Sequence, residues 1–154
     1  MLARRWQHLD TEAKELAAMI GDLVAQTAPQ LTEPFGIGAD TAAEILIVAG
    51  DNPERIKSEA AFAKLAGISP VPTGSGMTSG KHRINHGGHR QLNAAIYRTV
   101  IVRMQHHEPT KAYVARRTTE GKSKRDIIRC LKRYVIREVY QLIKVNPRTG
   151  EITS

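Results

Sequence analysis

The chain lacks the features that mark disulfide-rich, membrane-spanning and secreted proteins. Its 154 residues contain one cysteine, Cys130, so no internal disulfide can form, and the length suffices for a hydrophobic core without one. No apolar run approaches the ~18 residues of a membrane-spanning helix. The basic start of the chain is not followed by an uninterrupted apolar stretch, which argues against a secretory signal. We therefore expect a protein of the reducing cytoplasm with Cys130 as a buried, inert thiol.

Carboxylates are scarce in the second half of the chain. Residues 71–154 contain 5 Asp and Glu against 17 Lys and Arg, whereas residues 1–70 contain 10 against 6. The formal net charge of +8 at pH 7 is therefore carried by the second half. Such segregation is typical of a polyanion-binding face, and the alternative is a solvated helical surface that only confers solubility. Membrane binding is not expected, because the basic helices lack a Trp- or Phe-rich insertion face.

Strand-like alternation of useful length is also missing, and the patterns that are present have a helical period, which predicts an all-α fold. We expect a partial coiled-coil helix over residues 1–30, a helical domain over residues 31–143 and a flexible tail over residues 144–154. In the first helix apolar residues recur near an a/d spacing, which is typical of a coiled-coil-like helix that packs against a partner helix. This apolar seam consists of Trp6, Leu9, Ala13, Leu16, Ile20, Leu23 and Ala28.

Start and stop signals delimit the later helices. Ser58 is the predicted N-cap of a helix that Gly67 ends. A long helix is predicted from about His89 to His107, and a shorter one from Pro109 to about Thr119. A sequence similar to a capping box opens the last helix, over residues 123–143.

Gly36 and Gly38 flank one apolar residue, Ile37, just before a predicted helix over residues 41–48. This is the pattern of a helix-hairpin-helix element, in which Ile37 packs inward and backbone N–H groups face a phosphate. A plain packing corner between two helices is the alternative. Contacts with a nucleic-acid backbone are expected from this hairpin and from basic residues downstream: Lys81, His82, Arg83, Arg90, Lys124, Arg125, Arg129, Lys132 and Arg133.

The loop over residues 67–81 is too rich in glycine and proline for regular structure. Within it Ser75 has glycine on both sides and lies just upstream of a segment crowded with Lys, Arg and His. A serine hydroxyl at the edge of a basic surface is a candidate nucleophile for a phosphodiester. The alternative is a solvated hydroxyl, and Ser69 and Ser79 are the other candidates in this loop.

A serine needs a base, a metal or a preformed anion site in order to react. Arginines can clamp the phosphate and a histidine can take the proton. A metal site is not predicted, because Gly87 and Gly88 argue against the helix that would join His82 to His86, and no cysteine or paired carboxylate completes a zinc set. The basic groups near Ser75 in sequence are Lys81, His82, Arg83, His86, His89 and Arg90.

Several motifs in this order and spacing closely resemble the C-terminal domain of the serine-dependent insertion-sequence transposases of the IS one-ten group, which are bridge-RNA-guided recombinases. The resemblance covers residues 15–143. The motifs that carry it are Gly36-Ile37-Gly38-x-x-Thr41-Ala42, Gly67-Ile68-Ser69-Pro70, Ser75-Gly76, the run from Ile84 to Asn93, Tyr113, and the segment from Gly121 to Arg137.

The resemblance implies a division of labour. Ser75 matches the nucleophile that attacks a DNA phosphate and forms a phosphoserine link, and Gly36 and Gly38 match the turn of a helix-hairpin-helix element. In such enzymes a RuvC-like domain supplies an acidic tetrad and Mg²⁺, so no cofactor is expected within this chain. The implied partners are DNA, a structured guide RNA, and further copies of the chain or full-length transposase through the N-terminal helix.

The sequence also departs from this family pattern. The RuvC-like domain is not part of the chain, so we expect a truncated protein that is inactive alone. At the position of His86 the family typically has Arg or Lys, and at the position of His89 it often has Asp. The loop after Ser75 is about one residue longer than usual. The competing hypothesis is a non-catalytic DNA- or RNA-binding remnant that interferes with full-length transposase. Either would act in the bacterial cytoplasm, associated with the nucleoid.

Overall fold

The computed structural model describes residues 1–72, 82–84 and 88–144, and within these ranges the protein is a helical domain, which confirms the all-α prediction. Short 3₁₀ turns at Pro29–Thr32 and Pro53–Arg55 join some of the helices. The described residues form six α-helices: α1 (Leu2–Thr27), α2 (Ala39–Asp51), α3 (Glu59–Leu65), α4 (Arg90–His106), α5 (Glu108–Thr119) and α6 (Lys124–Lys144).

The helix ends follow the local signals of the sequence. The Oγ of Ser58 accepts a hydrogen bond from the backbone N–H of Ala61 at 3.1 Å, and Gly67 has a φ of +68° beyond the end of α3. The Oγ of Ser123 accepts from the N–H of Asp126 at 3.2 Å and donates to its carboxylate at 2.7 Å. This hydrogen bond lowers the pKa of Asp126, and Arg129 lowers it further.

The core lies where α2, α4 and α6 meet, with α3 and the end of α1 against it. Helical spacing places apolar side chains on the inward faces of these helices, and their burial is the main stabilising contribution. The largest side chains that are fully buried are Phe62, Leu31, Ile45, Leu92, Ile96, Ile127 and Ile136.

Helix α1 has the predicted extent, but only its last turns join the core. Ile20, Val24 and Ala28 pack against the core, whereas the side chains of residues 1–9 and 11–19 are exposed. The apolar seam of α1 is therefore largely open to solvent. At about 1.5 Å per residue the helix is roughly 39 Å long, so most of its length extends past the helices it contacts.

Two three-residue strands form where none is predicted, the first within the predicted loop over residues 67–81 and the second directly after it. Strand β1 (Pro70–Pro72) pairs antiparallel with β2 (His82–Ile84), with Val71 opposite Arg83. The prolines conceal this pairing in the sequence, because proline donates no ladder hydrogen bond. The missing donors of Pro70 and Pro72 fall on one edge of β1, which leaves the Val71 edge able to pair. The ribbon is too short to change the all-α class.

Cys130 differs from its expectation as well. It is half-buried rather than buried, on the side of α6 that faces Tyr113 of α5. Burial raises the pKa of the Tyr113 hydroxyl, and the neighbouring thiol adds to this. No helix in the described part of the chain is long and apolar enough to cross a membrane.

Candidate nucleic-acid interface

The segment that carries the predicted nucleophile connects the two strands. Ser75 and Lys81 lie between β1 and β2 in the chain, and His86 follows β2; all three are outside the described residues. Their assignment therefore stays a prediction. His82 and Arg83 are placed on the backbone of β2, opposite Pro72 and Val71.

The base of this segment is held closed by backbone contacts. The N–H of His89 donates to the carbonyl oxygen of Leu65 at 2.7 Å, which ties the start of α4 to the end of α3. Gly88 lies directly on Gly67, so closely that a Cβ at position 88 would overlap the backbone nitrogen and Cα of Gly67. Residues 67 and 88, the two ends of the Ser75-bearing segment, are therefore in contact.

A side-chain network continues from this base to α6. The amide nitrogen Nδ2 of Asn93 donates to the carbonyl oxygen of Ala66 at 2.8 Å, and its Oδ1 accepts from Nζ of Lys132 at 3.0 Å. The same ammonium lies 5.2 Å from the ring centroid of Tyr97, within cation–π distance. Burial lowers the pKa of Lys132. One amide thus joins a cation of α6 to the end of α3.

His89 has a structural role at this base. Its Nδ1 accepts a hydrogen bond from the N–H of Leu92 at 3.3 Å, which caps α4. The nitrogen that accepts cannot carry a proton, so only Nε2 of the ring remains for contacts with a ligand. Arg90, the first residue of α4, is exposed beside it.

Four of the five predicted cations of α6 line one cleft. Spacings of eight residues between Lys124 and Lys132 and of four between Arg125 and Arg129 place these two pairs on adjacent stripes of the helix. The cleft has a volume of about 420 Å³ between α4 and α6. We call it the cationic pocket, and it is lined by Tyr97, Lys124, Arg125, Ile128, Arg129 and Lys132.

The fifth predicted cation, Arg133, is paired elsewhere. Its Nη2 lies 3.1 Å from a carboxylate oxygen of Glu59 on α3, and Arg137 reaches the other oxygen at 3.4 Å. These ion pairs link α6 to α3. Arg133 therefore contributes to this helix contact and does not line the pocket, and its contact with nucleic acid stays a prediction.

The predicted hairpin is anchored by a residue that the sequence did not single out. Ile37 is buried, as predicted, and Gly36 has a φ of +82°, a conformation that requires glycine here. Arg103 of α4 donates from Nε to the carbonyl oxygen of Phe35 at 2.8 Å and from Nη2 to Glu138 of α6 at 2.7 Å. One guanidinium thus joins the hairpin to two helices.

The exposed end of the hairpin is the N-terminus of α2. Gly38 occupies the N-cap position with extended backbone, and no side chain caps the helix. The first backbone N–H groups of a helix in this arrangement can bind an anion. Asp40 in the first turn adds a negative charge at the same end.

Sequence reasoning missed Asn93, Tyr97 and Arg103 as site residues. The spacing of Asn93 and Tyr97 places them on one face of α4, but nothing in the sequence shows that α6 crosses there. Among the described residues, no group of three or more His, Cys, Asp or Glu could hold a metal ion.

These observations define the class of the protein. It is a basic helical domain in which the two ends of a long loop are in contact beside a cationic pocket. A model of the family described as "Transposase IS116/IS110/IS902 family" matches residues 28–115, more than half of the chain. The chain therefore belongs to this transposase family. The match extends from the end of α1 into α5 and includes the segment between Gly67 and Gly88.

Curated relatives agree with this assignment. The chain is 28% identical over 145 residues to the insertion element IS900 uncharacterized 42 kDa protein of Mycobacterium paratuberculosis, covering 93% of this chain and 36% of the relative. It is 27% identical over 117 residues to the insertion element IS110 uncharacterized 43.6 kDa protein of Streptomyces coelicolor, covering 76% and 29%. A pilin gene-inverting protein of Moraxella lacunata is 30% identical over 113 residues, covering 72% and 35%. The aligned part is about a third of each relative.

We expect the contact between Gly67 and Gly88 to be essential for stability. Gly88→Ala forces a methyl group into the backbone of Gly67 and should lower the free energy of unfolding by about 3 kcal/mol, as overpacking does. Gly50→Ala is the matched control, because a Cβ there meets nothing within 4 Å and position 50 lies in α2. It should raise stability by up to ~1 kcal/mol. Urea denaturation measures both, and equal stability of the two variants would contradict the close contact.

The contacts of Arg103 should contribute more to the free energy of unfolding than an ion pair at the surface does. Arg103→Met removes a side chain that is only 12% exposed and leaves the carbonyl of Phe35 without this donor, which should cost about 2 kcal/mol of folding stability. Lys111→Met is the control, since Lys111 pairs with Glu108 at the surface. Thermal denaturation should show a lower Tm for Arg103→Met alone. A shift of equal size in both variants would contradict the anchoring role.

Proposed function

We propose that this chain is the serine-bearing, nucleic-acid-binding part of a DNA transposase or recombinase. The observation that carries this proposal is the family match over residues 28–115, which spans the Ser75-bearing segment and the helices that close its base. The segregated positive charge and the cationic pocket support it, because both suit a polyanionic substrate. The name of the pilin gene-inverting relatives fits DNA rearrangement.

In this proposal Ser75 is the nucleophile. Its Oγ bonds to the phosphorus of one DNA strand as the bond from phosphorus to a sugar oxygen breaks, and that oxygen takes up a proton. The phosphodiester is thereby exchanged for a phosphoserine ester, which a second strand end can attack in the reverse sense. Arginines such as Arg83 and Arg90 would stabilise the charge on the phosphate during the exchange.

We propose that the acidic groups for metal-assisted chemistry come from outside this chain. Three or more metal-ligating side chains do not cluster in the part of the chain that the structure describes, so these residues do not fit a Mg²⁺ centre. We propose that the active enzyme combines this domain with a RuvC-like domain that holds the metal, and that a structured guide RNA pairs with the DNA. This chain then supplies backbone contacts and the serine.

Backbone binding is proposed for the hairpin and for the cationic pocket. Gly36 and Gly38 leave the N-terminus of α2 open to a phosphate, in the manner of a helix-hairpin-helix element. Lys124 and Arg125 are exposed, and neither has an ion-pair partner among the described residues. Charges of this kind position a nucleic acid without reading its sequence.

The proposed function is tested by Ser75→Ala in a reaction reconstituted with the metal-binding domain and a DNA substrate. The variant should form no covalent protein–DNA adduct, whereas Ser69→Ala and Ser79→Ala should form adducts at wild-type yield. Denaturing electrophoresis of labelled DNA measures this. Adducts from Ser75→Ala at the wild-type level would refute the nucleophile assignment.

As a control, the affinity for DNA is measured with the same variants. Ser75→Ala should bind DNA with nearly unchanged affinity, because one hydroxyl contributes little beside several charged contacts. For about four phosphate contacts, raising the salt from 50 to 200 mM should weaken binding by about a hundredfold. Tight binding without adducts under all conditions would favour the alternative function, a non-catalytic module.

The apolar seam of α1 is proposed to join this chain to a second copy or to full-length transposase. Most of α1 touches no other helix of the described chain, and a solitary helix of this kind is unstable unless a partner covers its apolar face. Large apolar side chains on the helix, including Trp6, Leu9, Leu16, Met19 and Leu23, are more than half exposed.

A charge in this seam should prevent association. Leu16→Glu should raise the dimer dissociation constant at least tenfold, because it replaces a leucine whose burial is worth about 1.5–3 kcal/mol. Ala18→Glu is the matched control, since position 18 lies on the opposite face of α1 and is also exposed. Sedimentation velocity distinguishes the two. Association that is unaffected by Leu16→Glu would exclude the seam as the contact.

A further inference from the structure

The cationic pocket contains an aromatic ring that the backbone-binding proposal does not use. Tyr97 of α4 is 44% exposed at the wall of the pocket, among the side chains of Lys124, Arg125 and Lys132. A groove that holds only phosphates needs cations and hydrogen-bond donors, for which a tyrosine hydroxyl also serves, but it makes no use of the face of the ring. Aromatic rings beside cations are instead the usual platform for an unpaired base, whose π-face stacks on the ring.

The charges of the pocket are left available for an anion. Among the described residues, the one carboxylate paired with a pocket cation is Asp126, which lies 3.3 Å from Arg129. Lys132 is held by the neutral amide of Asn93, so its charge is not cancelled. The buried Nε–H of Arg129 also has no hydrogen-bond acceptor in the described part of the chain. Cations gathered in this way repel one another, and a bound phosphate would relieve that repulsion.

The size and shape of the pocket suit one nucleotide. Its volume of about 420 Å³ lies within the range of small-molecule sites, roughly 300–1,000 Å³. Ile128 gives it an apolar floor that packs on the core. A base within a duplex presents only its edges, because its faces are covered by neighbouring bases, so it cannot stack on Tyr97 unless it leaves the helix.

We propose that this pocket binds a single unpaired nucleotide, with the base against the ring of Tyr97 and a phosphate against Lys124, Arg125 and Lys132. The inference rests on the proposed function, since it states which form of nucleic acid the basic domain prefers. An extrahelical or single-stranded nucleotide of DNA or RNA has the required chemistry.

A ligand in the pocket would affect the hydrogen bonds at the base of the Ser75-bearing segment. Lys132 donates to Asn93, and Asn93 donates to the carbonyl oxygens of Ala66 at 2.8 Å and Gly67 at 3.5 Å. A phosphate that draws the ammonium of Lys132 toward itself acts on the amide that holds this base.

The test compares duplexes that differ in one nucleotide. Fluorescence anisotropy at constant salt measures the affinity of the full chain for a fully paired DNA duplex, for the same duplex with one extrahelical nucleotide, and for one with an extrahelical abasic site. We expect the extrahelical base to improve affinity about tenfold, within the range of stacking on an aromatic side chain, and the abasic site to lose most of this gain. An RNA duplex with the same bulge shows which sugar is preferred.

Variants of Tyr97 assign the effect to the pocket. Tyr97→Ala and Tyr97→Leu should lose the preference, measured within each variant as the ratio of its affinities for the bulged and the paired duplex, and Tyr97→Phe should retain it. Tyr134→Ala is the matched control, because Tyr134 is 49% exposed and also has a cation, Arg137, 5.8 Å from its ring centroid. Circular dichroism verifies that each variant is folded.

The outcomes separate this inference from the function on which it rests. Binding to all duplexes without a preference for the extrahelical base, or a preference that survives Tyr97→Ala, overturns the nucleotide pocket and leaves the proposed function standing. Absence of binding to every duplex overturns the proposed function itself, and the pocket with it. A preference that Tyr134→Ala also removes overturns the assignment to Tyr97.

Discussion

The contact between Gly67 and Gly88 is the constraint on which the site depends. Two backbones can approach this closely only where neither carries a side chain, and the approach brings the end of α3 to the start of α4. The hydrogen bond from His89 to Leu65 and those of Asn93 to the carbonyls of Ala66 and Gly67 form around it. The segment from 67 to 88 therefore starts and ends at one fixed point beside the core, whatever path it takes between.

Helix α6 serves both the core and the site, and its cations are divided accordingly. One face buries Ile127, Val135 and Val139 in the core. Beside that face, Arg133 and Arg137 neutralise Glu59 and hold α3 in place, whereas the residues of the cationic pocket face α4. The pairing with Glu59 fixes the helix that ends at the loop base. Cations of α6 that look equivalent in the sequence thus have different roles. Those that face α3 form ion pairs with Glu59, and those that face α4 line the pocket.

The sequence predicts the local part of this structure well and the long-range part poorly. Ser58, Gly67 and the Ser123–Asp126 pair act over three or four residues, so their patterns sufficed to delimit α3 and α6. The β1–β2 ribbon was missed because its prolines argue against strands. The contacts of Asn93 and Arg103 reach residues 26 to 68 positions away in sequence, and no periodicity within α4 contains that information. The same holds for Tyr97, whose ring lies beside Lys132 of α6. Ser75 itself was chosen by family resemblance, and its placement stays a prediction.

The neutral amide at position 93 shows how the pocket keeps its charge. An aspartate there would accept the same hydrogen bond from Lys132, but it would cancel the positive charge and could not donate to the carbonyl of Ala66. Asparagine does both tasks, since its oxygen accepts from the cation while its nitrogen donates to the loop base. The cost is a half-buried ammonium whose pKa is lowered by burial, and no carboxylate among the described residues pairs with it. Such an arrangement is unfavourable for the free protein and would be relieved by a bound anion, which supports the proposal that the pocket is a binding site.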